Sequence, residues 1–68
     1  MKNIREIVAE NLVNLRKQHS MTQLEIAKQI NYSDKAVSRW ENGECLPDIE
    51  TLNSLSIIFD VPISYFFE

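Results

Sequence analysis

Residues 22–42 read TQLEIAKQINYSDKAVSRWEN, and this stretch decides the fold. Thr22 is a good helix N-cap, and Glu25 stands at the N3 position of a capping box. Met21 before the cap and Ile26 after it match a hydrophobic staple, which fixes the angle at which the chain enters the helix. The helix begun there is short, with Leu24, Ile26, Ala27 and Ile30 apolar. It ends at Asn31, a residue that tolerates the left-handed conformation of helix ends. Ser33 is a second N-cap, with Tyr32 and Val37 in the staple positions. The helix that follows runs to about Glu41 and stops at Asn42-Gly43. On a helical wheel counted from Asp34, Ser38 falls at about 40°, Asn42 at about 80°, Lys35 at about 100° and Arg39 at about 140°. Ser33, Ala36, Val37 and Trp40 fall at roughly 200–300°. One side is therefore wholly polar and the other packs inward. The polar side bears groups that can meet a base edge or a phosphate. Two short helices with about three residues between them form a helix-turn-helix, whose second helix enters the major groove of DNA.

The flanks supply the rest of the core. Ile4, Ile7, Val8, Leu12 and Leu15 repeat at helical spacing, predicting a helix to about Gln18. Asn11 and Asn14 fall off that stripe, and Arg16 and Lys17 suit its negative C-terminal end. Glu44 to Pro47 reads as a loop. Asp48 caps a helix carrying Ile49, Leu52, Leu55 and Phe59. Asp60-Val61-Pro62 breaks it, and Ile63 to Phe67 reads as a final short helical turn.

Composition narrows the function classes. Sixty-eight residues make one small domain, and one of this size has little room for an enclosed catalytic pocket. One Cys excludes an internal disulfide, and with a single His it excludes a four-ligand Cys/His zinc site. No apolar run approaches the roughly 18 residues of a membrane span. Met1 to Glu10 lacks the apolar core of a signal peptide, so the cytoplasm is the expected compartment. We find no nucleophile–base pair and no phosphate-cradling glycine loop, so no enzyme is expected and no cofactor, metal or small-molecule ligand is evident. The net charge of −3 argues against a generic nucleic-acid binder, but it hides a polarity. Residues 1–39 hold all seven cations and carry +3, while residues 40–68 hold none and carry −6.

The segment from Gln23 to Asn42 resembles the helix-turn-helix of the phage repressor and Cro-like family of bacterial and phage transcription regulators. The resemblance extends through Leu15-Arg16, Thr22-Gln23, Ile26-Ala27, Val37-Ser38, Trp40-Glu41, Gly43, Pro47 and the Val61 to Phe67 end. It covers essentially the whole chain. It implies one five-helix, all-α, lambda-repressor-like domain over residues 1–68 that binds double-stranded DNA. By position, Asp34, Lys35 and Arg39 match base-contacting residues, with Ser38 close by. Gln23 matches a phosphate-binding position at the start of the second helix, and Asn42 a backbone-contacting one. Arg16 and Glu41 match a salt bridge that braces the first helix against the third. The family further implies a homodimer on a palindromic operator, in a bacterial or phage-encoded protein associated with the nucleoid. Repression is the expected role.

Some residues keep two readings. Lys28 faces either solvent or phosphate. Asp34 either complements the N-terminal end of its helix, accepts from a cytosine amino group, or orients Lys35 or Arg39. Asn31 stands where the family usually has Gly, a substitution Asn tolerates. Cys45 has no neighbouring cation in sequence to lower its pKa, and a redox role is not expected. Ile63, Tyr65, Phe66 and Phe67 either close the core or form the dimer contact. The rival to DNA binding is a protein-interaction module that keeps the fold, with its partner on the Ile63 to Phe67 surface. Asp34 and the negative net charge favour that rival.

Overall fold

The computed structural model describes all residues 1–68. It contains four α-helices and no strand: α1 (Ile4–Gln18), α2 (Gln23–Ile30), α3 (Asp34–Glu41) and α4 (Ile49–Phe59). A 3-10 helix, Ile63–Phe67, ends the chain. The expected fifth α-helix is thus a 3-10 turn. Its start at Pro62 has no side-chain cap, and its bonds run over three residues, as in Tyr65 N–H to Pro62 O at 2.9 Å. Five residues cannot repay the nucleation of an uncapped α-helix.

Every α-helix starts on a side-chain cap. Asn3, Thr22, Ser33 and Asp48 accept the N–H groups of Glu6, Glu25, Ala36 and Thr51. The capping box of α2 is complete, because Glu25 also accepts the Thr22 N–H at 2.8 Å. Helix ends follow one rule as well. Ser20, Asn31, Gly43 and Asp60 all have φ between 54° and 73°. After α1, α3 and α4 the two returning N–H bonds of a Schellman motif are present, as in Gly43 to Trp40 O and Glu44 to Arg39 O. Only one of these four left-handed positions is glycine. An ideal Cβ on Gly43 would meet the Arg5 carbonyl at an ordinary 3.9 Å, so φ alone selects glycine there.

Each element contributes to one core. Val8, Leu12 and Leu15 of α1 meet Ile26 and Ala27 of α2, Val37 and Trp40 of α3, and Leu52, Leu55 and Phe59 of α4. Phe66 of the 3-10 helix completes it. Met21 packs half-buried against this cluster. Ile4 and Ile49, expected on apolar faces, are exposed; each is the first residue of its helix, and the buried apolar faces begin one turn on, at Val8 and Leu52. Asn11 is not a passive off-stripe residue. Its Nδ2 donates to the carbonyls of Tyr65 and Phe66 at 3.2 and 2.9 Å, which ties the 3-10 helix to α1.

Two measurements check this account. Hydrogen bonds from Thr22 hold the Glu25 carboxyl below its ordinary value of 4.5, and those from Thr51 do the same to Asp48 relative to 3.8. A carboxyl whose pKa is lowered by folding stabilises above its unfolded value and loses that contribution as pH falls through the folded one. Denaturation midpoints should therefore decline below about pH 4.5, and Glu25→Gln with Asp48→Asn should flatten that decline. Separately, Ser20→Gly should raise stability by about 1 kcal/mol, since Ser is strained at positive φ. A fall in melting temperature would contradict the left-handed assignment.

Candidate nucleic-acid interface

The three residues Asn31, Tyr32 and Ser33 turn the chain from α2 into α3. Asn31 supplies the left-handed bend at φ 60°, and Ser33 restarts the helix. Tyr32 does more than staple. Its ring stands edge-on to Trp40, with centroids 5.1 Å apart and planes at 70°. Its hydroxyl accepts from Thr51 at 3.3 Å and reaches Asp48 at 3.5 Å, linking the turn to the start of α4. Trp40 is buried in the core, where its place on the inward-packing arc of the wheel puts it. Val37 and Trp40 pack α3 inward and thereby fix which face turns outward.

That outward face carries Asp34, Lys35 and Arg39, all exposed, with Ser38 half-buried between them and Asn42 exposed just beyond the helix end. Asn42 Nδ2 lies 3.5 Å from the Ser38 hydroxyl, too long for a strong bond. The ion pairs of the chain are Lys2–Glu10 and Arg16–Glu41. Lys28, Lys35 and Arg39 are in neither, and they project without a carboxylate partner.

Behind this face lies a polar knot. Arg16 Nε donates to Glu41 Oε2 at 2.6 Å, and Nη2 donates to Oε1 at 3.0 Å. Arg16 Nη1 donates to the Met21 carbonyl at 3.0 Å. The Glu41 side chain is only 5% exposed and that of Arg16 16%. Donation to the Glu41 carboxylate raises the guanidinium pKa further above its ordinary value, so Arg16 stays charged throughout. Gln23 joins the knot by donating Nε2–H to Glu41 Oε1 at 2.9 Å. Sequence reasoning placed Gln23 at a phosphate and missed this bond, since nothing in a lone sequence links positions 18 residues apart. No hydrogen bond within the chain uses the backbone N–H groups of Gln23 and Leu24 at the start of α2.

The remaining candidates lie at the chain end. Phe66 is 0% exposed and has no surface to offer a partner. Ile63 and Tyr65 are half-buried, and Phe67 is 42% exposed. Ile57 of α4, which sequence reasoning assigned no role, is 72% exposed. Cys45 is a free, exposed thiol in the α3–α4 loop. No helix is long and apolar enough to cross a membrane.

A family model described as helix-turn-helix matches residues 12–66. The chain belongs to the helix-turn-helix family. Among relatives, the HTH-type transcriptional activator BcrR of Enterococcus faecalis is 39% identical over 54 residues, covering 79% of this chain and 26% of BcrR. A solution structure of the SOS-response transcriptional repressor LexA from Eubacterium rectale superposes with a TM-score of 0.89 at 31% identity, covering 94% of this chain and 68% of that one. Hydroxypropylphosphonic acid epoxidase from S. wedmorenis shares the fold at 23% identity with a TM-score of 0.84, over 93% of this chain and 34% of the enzyme. That likeness concerns the helix-turn-helix fold alone. The chain spans about a quarter to a half of the length of the curated relatives it matches.

The knot yields a stability prediction for this helix-turn-helix domain. Arg16→Met should cost about 3 kcal/mol, because it strands a buried carboxylate. Arg16→Met combined with Glu41→Met should recover more than half of that loss in chemical denaturation. Additive losses would mean that the pair contributes no coupling.

Proposed function

We propose that this domain binds double-stranded DNA sequence-specifically as a transcriptional regulator, with α3 in the major groove. The observation that carries the proposal is the exposed polar face of α3, whose cations lack internal partners while its opposite face is locked into the core. Membership of a family whose relatives are named transcriptional regulators supports it.

In this reading Lys35 and Arg39 read bases, with guanine O6 and N7 as the natural acceptors. Ser38 assists them. Asp34 accepts from a cytosine amino group or holds one of the two cations in place. Gln23 and the free N–H groups at the start of α2 take a phosphate, and Asn42 and Lys28 take others. The acidic segment from Glu44 onward turns away from DNA and helps orient the approach. Two copies related by a twofold axis read a palindromic operator, with half-sites about 34 Å apart. Ile63, Tyr65 and Phe67 supply the apolar contact between copies, with Ile57 as a further exposed neighbour in sequence. Repression is the simplest outcome, because occupancy of a promoter suffices for it, whereas activation needs a further contact.

Fluorescence anisotropy with a randomised duplex of about 30 base pairs, titrated at several salt concentrations, tests the proposal. Light scattering in the same buffers gives the mass. Affinity should fall steeply as salt rises. Absence of binding at low salt by a dimeric protein would sink the DNA reading in favour of a protein-interaction module. On a selected operator, Arg39→Ala should cost about 1–3 kcal/mol and relax preference at one base position. Lys28→Ala should weaken all sequences about equally. Equal losses for Arg39→Ala on operator and random DNA would remove Arg39 from the base-reading set.

A further inference from the structure

We propose that Glu41 is a positioning residue for DNA binding: its buried carboxylate holds the Gln23 carboxamide in the orientation that presents an N–H to a phosphate. The proposal deepens the DNA-binding reading and rests on it.

A glutamine amide rotates freely about its last torsion, and either its oxygen or its nitrogen can face a given neighbour. Opposite an anion only one choice remains. Glu41 Oε1, 2.9 Å from Gln23 Nε2, accepts one of the two amide hydrogens. The second amide hydrogen has no other hydrogen-bond partner in the chain. The carboxamide oxygen is thereby turned away from Glu41, and the nitrogen is kept on the side of α3. Without the carboxylate, the amide would be free to present its oxygen, which repels phosphate.

A carboxylate beside a phosphate site would ordinarily oppose binding. Here Arg16 cancels it, donating twice to the same group from the opposite helix. The Arg16 guanidinium is itself anchored to the Met21 carbonyl, one residue before the cap of α2. The knot therefore joins the end of α1, the start of α2 and the end of α3 through one small group. The residue that would touch phosphate and the helix that would read bases are set by the same carboxylate. Glu41 is too buried to touch DNA, so any effect it has on binding passes through its partners.

A double-mutant cycle tests the idea. Gln23→Ala is introduced into the unmodified chain and into the Arg16→Met, Glu41→Met background, where the knot is replaced by apolar side chains. Affinity for the randomised duplex is read by anisotropy, below the melting temperature of each variant. In the unmodified chain, Gln23→Ala should weaken binding about tenfold, the scale of one hydrogen bond to a charged group. In the knotless background the same change should cost less than about twofold. Equal costs in both backgrounds, or no cost in the unmodified chain, would overturn the positioning role. Failure of the unmodified chain to bind at all would instead overturn the DNA-binding reading. A second measurement needs no variant. In the free and DNA-bound protein, the Gln23 side-chain amide protons are followed by NMR. The proton facing Glu41 should keep its shift, and the other should move on binding. Two unmoved protons would contradict the proposal even if the knotless background fails to fold.

Discussion

One carboxylate, that of Glu41, accepts from Arg16 on α1 and from Gln23 on α2 while itself standing at the end of α3. The register of α3 against α1 and α2 depends on that meeting of three elements. Apolar packing by Val37 and Trp40 draws α3 inward, but such packing is non-directional and tolerates sliding. Directional bonds to a group that is nearly excluded from water do not. A bidentate pair in that setting is costly to break and geometrically narrow, so it fixes register as well as distance. No buried side-chain nitrogen or oxygen lacks a hydrogen-bond partner, so the polar interior is fully satisfied.

The rest of the molecule supplies a frame in which eight-residue helices can persist. Isolated helices of that length are marginal in water. Here each α-helix begins on a capping side chain and ends on a left-handed residue, so the orphan groups at both ends are largely met locally. The 3-10 helix closes the bottom of the core with Phe66, and Asn11 pins its carbonyls to α1. Tyr32 joins the turn between α2 and α3 to the start of α4 through Thr51 and Asp48. The segment between the two short helices is thereby tied on both sides.

Much of this was legible in the chain. Thr22, Glu25, Ser33 and Asp48 announce helix starts through local chemistry, and local chemistry is what a sequence displays. The apolar spacings of Leu12 and Leu15, and of Leu52, Leu55 and Phe59, announce the buried faces. The left-handed role of Asn31 was legible for the same reason, whereas Ser20 carries no such mark. Features that depend on distant partners were not legible from residue patterns. Asn11 has an ordinary polar side chain until the chain end is folded over it. Gln23 reads as a surface glutamine until Glu41 is brought beside it. Resemblance to a family supplied the Arg16–Glu41 pairing, but it said nothing about which way the Gln23 amide turns. For the candidate interface, position along α3 followed from the wheel, while the absence of ion-pair partners for Lys35 and Arg39 required coordinates.

The electrostatic arrangement completes the account. A net charge of −3 belongs to a molecule whose cations all precede Trp40 and whose later half is purely acidic. In the proposed complex the polyanion is met by the exposed Lys28, Lys35 and Arg39, which have no carboxylate partner within the chain. Backbone amide NMR of the labelled domain, titrated with duplex DNA, tests this most directly. The account predicts shift changes concentrated at Gln23, Lys28, Lys35, Ser38, Arg39 and Asn42, with α4 and the chain end little affected. Changes confined to Ile49, Ile57 and the Ile63 to Phe67 turn, with α3 unmoved, would contradict it.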